Sequence, residues 1–532
     1  MTTTERAVTP APLTHREILI VFSGLMLGML LAALDQTIVS TALPTIVGDL
    51  GGLNHLSWVV TAYLLTSTSS VPLYGKVSDL YGRKIVFQFA IVTFLVGSVF
   101  AGAAQNMLTL VIARGIQGIG GGGLMSLTMI IIADIVSPRD RGRYQGYIGA
   151  VFATSSVLGP LLGGLFTDSL SWRWIFYINI PLGLVALVVT SSVLNLPFVR
   201  REHKVDYLGA ALLVAGVSAL LLVMVWGGSE YAWGSTTILG LAAAGAVLVV
   251  AFVLQEARAA EPILPLSLFR IGVFRVSSSV SLLVGLAMFG AIVFLPLYFQ
   301  IVTGASATRS GLLMLPMVAG LMATSIASGR MISRTGRYRR FPIAGALITA
   351  AGLALLTQLD VDTSRIESSL YMFVLGCGLG LLMQTLVLAV QNVVSHAEMG
   401  AATAGVTFFR SMGGAFGVAI FGTVLNNRLD HYVARNVPAE VLNQLGNPSG
   451  TQLGRSRAAI ERLPDLVRAD VIRSFAQALD VVFWAALPVA LVAFVLTWFL
   501  HEAPLRTSTH HGGGVETEEE ETHATGAAFA GE

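Results

Sequence analysis

Apolar stretches of about twenty residues, parted by short polar or charged turns, recur along nearly the whole chain. Fourteen such runs begin near Ile18, Trp58, Ile85, Met107, Tyr144, Ile175, Tyr207, Thr237, Phe274, Ser310, Phe341, Leu370, Ala402 and Phe475. A helix needs about 20 apolar residues to cross hydrocarbon, and in lipid each segment must satisfy its own backbone, so the pattern predicts fourteen transmembrane helices. A large β-barrel would alternate apolar and polar positions, which these runs do not. The first run is too long for a secretory leader, carries Asp35 and lacks a clear cleavage site, and is therefore helix 1.

Composition fixes the solvent: 54% hydrophobic and 12% charged residues, with mean hydropathy +0.75, exclude a water-soluble globule of 532 residues. The net charge of +2 says little, whereas the placement of Lys and Arg sets the orientation. With the N-terminus inside, Lys76, Arg83, Lys84, Arg139, Arg141, Arg143, Arg200, Arg201, Lys204, Arg334, Arg337, Arg339 and Arg340 all fall in cytoplasmic turns. The short outer loops hold only Arg173, Arg309 and Arg365. The outer segment Asn426 to Ser474 carries several Arg, but long loops weigh little in this rule. Both termini are expected in the cytoplasm, the protein lying in a cell (inner or plasma) membrane, and the acidic ending from His510 to Glu532 is expected to be disordered. The excess of Arg over Lys hints at a GC-rich genome and says nothing of mechanism.

One cysteine, Cys377, rules out an intramolecular disulfide and reads as a packed thiol. The nine histidines fall in loops, helix edges or tails, which removes a membrane metal site and most acid/base enzyme chemistry. Gly120 to Gly123 is not a phosphate loop, because no Gly-Lys-Ser/Thr follows, so neither nucleotide nor nucleic acid is expected as a partner.

The turn Gly75-Lys-Val-Ser-Asp-Leu-Tyr-Gly82-Arg-Lys returns as Gly329-Arg-Met-Ile-Ser-Arg-Thr-Gly336-Arg-Tyr eight helices later, with Ser333 where Asp79 stands. A weaker echo pairs Gly142 with Gly400. If each repeat holds six helices, helices 7 and 8 are an insertion. The expected organisation is a cytoplasmic tail 1–16, an N-terminal six-helix bundle 17–197, a basic loop and inserted helices 198–257, a cytoplasmic linker 258–272, a C-terminal bundle 273–500 with an outer loop 426–474, and a disordered tail 501–532. Repeated halves of this kind build a transporter that rocks about a central site.

Asp35 is the carboxylate placed deepest in an apolar run, about 13 Å inside the outer end of helix 1, and Arg114 lies about 10 Å inside helix 4. A lone charge at that depth costs about 2.5–3.5 kcal/mol on insertion scales and is usually functional and partnered. Five ordered stretches then carry a likeness: Leu34-Asp35-Gln-Thr-Ile-Val-Ser-Thr-Ala-Leu-Pro44, Gly75 to Lys84, Arg114-Gly-Ile-Gln-Gly-Ile-Gly-Gly-Gly122, Gly159-Pro160-Leu-Leu-Gly163-Gly164, and Trp172 to Gly183. Together they resemble the major facilitator superfamily, specifically its fourteen-helix drug/proton antiporters of the QacA and EmrB type, over helices 1 to 14.

The resemblance implies that helices 1 and 4 line the cavity, so Asp35 and Arg114 should face one space and pair directly or through water. Gly24, Gly28 and Asp35 share a helix face, as do Arg114, Gln117, Gly118 and Gly121, leaving room for substrate; Gln117 and Gly118 are cavity candidates. Asp35 would take a proton outside and release it inside, Arg114 favouring its charged form, and each charge moved across 100 mV is worth about 2.3 kcal/mol. A fixed ion pair that merely joins two helices is the competing reading.

Gly75, Asp79, Gly82, Arg83 and Lys84 are implied to form a latch, with Asp79 meeting a basic residue and the positive N-terminal end of helix 13; a solvated turn is the alternative. Gly159, Pro160, Gly163 and Gly164 should pack helix 5 closely, limit leakage and set antiport geometry; plain packing or a hinge is the alternative. Arg410 enters helix 13 from the cytoplasmic end with no obvious membrane acid in its half, and is a candidate for gating or for an anionic substrate group. Asp480 lies near the outer end of helix 14, within reach of water, and helix 10 carries no acid. Met288, Phe289, Phe294, Met314, Met317 and Met322 suit either a promiscuous pocket or plain packing.

The resulting expectation is an all-α integral membrane protein, two six-helix halves plus two inserted helices. It would export hydrophobic or amphipathic small molecules in exchange for protons, driven by the proton gradient with no cofactor or metal, and act as a monomer. A lipid or glycolipid exporter of the same fold is the nearest rival, and a membrane-embedded enzyme or scaffold the more distant one.

Overall fold

The computed structural model describes residues 15–50, 56–137, 141–194, 206–228, 231–395, 398–438, 441–442, 460 and 463–505. The expected tails, the basic residues Arg139, Arg200, Arg201 and Lys204, and the middle of the outer segment lie wholly or largely outside these residues. The first half comprises α1 (His15–Leu50), α2 (Leu56–Tyr81), α3 (Arg83–Gly102), α4 (Met107–Ile135), α5 (Arg141–Ser169), and the pair α6 (Trp174–Tyr177) and α7 (Asn179–Val193). Next come α8 (Tyr207–Trp226) and α9 (Thr236–Glu256), then a short 3-10 turn, Leu266–Arg270. The second half holds α10 (Gly272–Ile301), the pair α11 (Ala307–Leu313) and α12 (Leu315–Thr335), α13 (Arg340–Leu356), α14 (Arg365–Val393), α15 (Met399–Asn436) and α16 (Asp465–Thr497).

With α6–α7 and α11–α12 each counted as one broken rod, the chain makes fourteen rods among the described residues. Twelve are long and apolar enough to cross a membrane. The other two are α13, apolar but only 17 residues long, and α2, whose Thr66–Ser70 stretch lowers its hydropathy.

The internal repeat extends to packing. In the first half α1 packs on α5 and α7, and α4 on α2 and α3; in the second, α10 packs on α15 and α16, and α14 on α12 and α13. Asn106 and Ser364 cap the equivalent helices α4 and α14 with reciprocal capping boxes. The segment 75–84, expected as a loop, is instead helix up to Tyr81. Gly82 at φ 90° lets α3 start one residue later, and Gly336 at φ 69° ends α12 at the matching place. The outer segment is likewise helical at both ends, with α15 running on to Asn436 and α16 starting at Asp465.

Helix α8 rests on α2 and α15, while α9 packs mainly on α8 and shows its apolar side outward, Val247 being 67% exposed. At the end that holds Gly82 and Gly336 one apolar core runs through both halves, taking in Phe22, Ile132 and Tyr144 with Val387, Leu388 and Ala402. Toward the opposite end the cores are separate, one around Ile38 and Trp172, the other around Phe299 and Phe483. The halves are thus sealed together at the Gly82 end.

Candidate functional site

Asp35 and Arg114 meet in a fully buried ion pair, Arg114 Nη1 lying 2.5 Å from Asp35 Oδ2, with side chains 0% and 2% exposed. Further groups close around them. Gln117 Nε2 donates to Asp35 Oδ1 (2.6 Å) and to Ser98 Oγ (2.8 Å), and its own Oε1 accepts from Arg114 Nη1 (2.7 Å). Asn179 Nδ2 donates to the same Asp35 oxygen (3.1 Å) and to Ser98 (3.3 Å). Arg114 Nε reaches the Val59 carbonyl, and its guanidinium lies 4.4 Å from the centre of the Tyr63 ring. The spacing in sequence explains part of this: Arg114 and Gln117 are one helical turn apart and share a face.

The position of the pair departs from the expectation. Ser98 and Asn179 belong to α3 and α7, so the pair points into the first half itself and not into the space between halves. The room expected beside it is filled. A Cβ on Gly24 would meet Thr190 and Val189 of α7, one on Gly28 would meet Phe87 of α3, and one on Gly118 would meet the Tyr63 backbone of α2. Gln117 and Gly118 therefore hold the pair and the α2–α4 contact. The apolar runs gave no sign of this because lipid is as apolar as a helix interface.

Asn179 and Ser98 were not singled out in the sequence. Asn179 stands in an apolar context within Trp172 to Gly183, the one available signal, and the break between α6 and α7 sets it at the start of α7. Its Oδ1 has no partner among the described residues. The same stretch anchors the C-terminal end of α1: Trp172 Nε1 and Arg173 Nη1 both donate to Asp49 (2.8 and 3.1 Å), holding its carboxyl below the usual range.

At the Gly82 end Asp79 pairs with Arg83 (2.5 Å), and Arg83 Nε bonds Asp134 (2.8 Å) at the end of α4, a carboxylate the sequence reading passed over. The Asp79 carboxylate also lies against Gly400, second residue of α15, where a Cβ would stand 2.5 Å from both its oxygens. Gly75 makes the same approach closer in, where a Cβ would sit 2.6 Å from Ala404 Cβ and 2.9 Å from the Gly400 carbonyl. These two glycines put a negative charge on a helix N-terminus of the opposite half. Lys84 donates to the Ser191 carbonyl. Ser333 Oγ is buried.

A second cross-link joins the halves. Arg141, 4% exposed and six residues ahead of the spanning part of α5, donates to Gln391 Oε1 of α14 (2.6 Å) and to the carbonyls of Ala133 (2.6 Å) and Val136 (2.9 Å). Gln391 in turn donates to Thr403 of α15 (3.1 Å). Burial lowers the Arg141 pKa to about 9.

Two residues beyond Asp35, Thr37 Oγ1 donates to the Ser155 carbonyl of α5 (3.0 Å). Gly159 makes that approach possible, since a Cβ there would strike Thr37. Pro160 leaves the Ser156 carbonyl without its helical donor, and both lie against Gly311 of α11 across the interface between halves. Gly163 and Gly164 offer their carbonyls to Thr167 Oγ1. Arg410 is partly exposed and enters none of the ion pairs or side-chain hydrogen bonds among the described residues. Asp480, expected in water, has one oxygen buried without a partner among the described residues.

The Major Facilitator Superfamily family model matches residues 25–418. An uncharacterized MFS-type transporter of Mycobacterium tuberculosis is 45% identical over 488 residues, covering 91% of this chain and 70% of that protein. The multidrug transporter protein MdtP of Bacillus subtilis is 38% identical, covering 90% of this chain and 92% of MdtP. The solved structure of the proton:xylose symporter XylE shares the fold, with a TM-score of 0.60 at 16% identity, covering 92% of this chain and 96% of XylE.

Proposed function

This chain belongs to the Major Facilitator Superfamily and is a multi-pass membrane transporter, and we propose that it exports hydrophobic or amphipathic small molecules in exchange for protons. The relatives named as multidrug transporters support drug efflux as its role. The observation that carries the proton half of the reading is the sealed Asp35–Arg114 pair with its amide partners.

A proton on Asp35 removes the charge that Arg114 answers. The guanidinium then keeps Gln117 Oε1, the Val59 carbonyl and the Tyr63 and Phe176 rings, while Gln117 and Asn179 lose a charged acceptor. Five segments, α1, α2, α3, α4 and α7, meet at this point, so their mutual fit depends on whether the proton is present. Thr37 carries the change from α1 to α5 at Ser155 and Gly159, next to the place where Pro160 touches α11 of the other half. Loading and unloading of Asp35 is thereby tied to the seam between halves, the part that must open for alternating access.

The test is Asp35→Asn, which keeps the shape and a hydrogen-bonding group but cannot carry the proton. In everted vesicles it should abolish proton-driven efflux at normal protein abundance, while binding of substrate persists. Coupled efflux at the unmodified rate would leave Asp35 as a fixed strut and remove it from the mechanism.

A further inference from the structure

Asp35, the acid a cationic drug would seek, is 0% exposed and covered by Arg114, Gln117 and Asn179. Between the halves lies a cavity lined by Phe22, Met129, Tyr144, Ile148, Gln384 and Gln391, among others. Its floor is the bond from Gln391 to Thr403, which fixes α14 and α15 at one level.

From that bond, Gln384 is seven residues back along α14 and Arg410 seven residues on along α15. The helices run in opposite directions, so both steps lead toward the outside, by about 10 Å. Seven residues is two turns, which keeps Gln384 on the face of Gln391 and Arg410 on the face of Thr403. The two side chains thus stand at one height above the floor, both partly exposed. Neither makes a side-chain hydrogen bond or ion pair with a described residue. A guanidinium held in a spanning helix without a counter-ion is a costly arrangement that calls for a ligand.

We propose that Arg410 and Gln384 form the polar end of the substrate site and bind the anionic head, a carboxylate, sulfonate or phosphate, of an amphipathic substrate whose apolar body lies along Met and Phe side chains of the cavity. This rests on the export reading above and names the substrate class for it. Arg supplies a planar fork suited to such oxyanions, and the neutral amide of Gln384 adds a donor without a competing charge.

The full-length protein in proteoliposomes is given radiolabelled taurocholate (an anionic amphiphile), tetraphenylphosphonium (a cationic one) and a fluorescent phosphatidylglycerol, each with and without a pH gradient. Wild type is expected to move taurocholate. Arg410→Gln and Gln384→Glu should each lower its kcat/KM at least about tenfold, and Arg410→Lys should restore part of it. Movement of phosphatidylglycerol with the same Arg410 dependence identifies a lipid head as the anion and supports the same site. Taurocholate transport unaffected by Arg410→Gln and Gln384→Glu overturns the proposal, as does a wild type that moves tetraphenylphosphonium but neither anion. In that last case the export reading survives, whereas gradient-independent behaviour of every probe sinks both.

Discussion

An alanine at position 400 would place its Cβ 2.5 Å from both carboxylate oxygens of Asp79, far inside contact distance, and the carboxylate must leave the N-terminus of α15 to make room. Arg83 still holds Asp79 at 2.5 Å and Asp134 at 2.8 Å, so the ion pairs within the first half survive. What is lost is the attraction between a partly buried carboxylate and a helix N-terminus, about 1–2 kcal/mol, or about a 5- to 30-fold change in the ratio of closed to open forms at this end. Spin labels at Tyr81 and Thr335 report this, since both are exposed and end α2 and α12 in opposite halves; Cys377 is first replaced by Ser. In lipid nanodiscs Gly400→Ala should add a longer distance to the distribution, Asp79→Asn should add the same one, and the double variant should do little more, because both break one contact. Unchanged distributions in both single variants, or fully additive effects, would refute the latch.

Gln391→Ala leaves a buried Arg141 donor without its acceptor in the other half, at a cost of about 1–3 kcal/mol to the closed form, and should lengthen the same distance. Because burial lowers Arg141 to about 9, its charge weighs against the closed form at every pH below that value, and the penalty fades only as pH rises from 9 toward its usual range. The Arg141 contribution should therefore be flat from pH 5 to 8; a step there that vanishes in Arg141→Gln would contradict this. Gly159→Val drives a side chain into Thr37 and parts α1 from α5, an overpacking worth about 1–3 kcal/mol. Its expected signs are a lower unfolding temperature and a proton leak without substrate, and an unperturbed, tight protein would show that the α1–α5 contact is slack.

The apolar runs alone determine the class of solvent, the helical character and the order of the rods, because a membrane demands about 20 apolar residues and internally satisfied backbone. The spacing of Gly82 and Gly336 likewise discloses the repeat, since a positive φ is a local demand that glycine meets best. Depth along a helix is also legible, as the rise per residue is constant, and it puts Asp35 level with Arg114.

Direction around the helix is not. In a soluble protein the polar stripe marks the outside, but rods such as α1 and α4 are apolar on all sides because lipid and protein interior are equally oily. Only the packed structure decides that Asp35 turns toward Ser98 and Asn179, that Gly400 comes to rest against Asp79, and that Arg141 reaches Gln391, 250 residues away. Each of these is a meeting of helices distant in the chain, fixed by where small residues let backbones approach, and no local pattern in either partner records it.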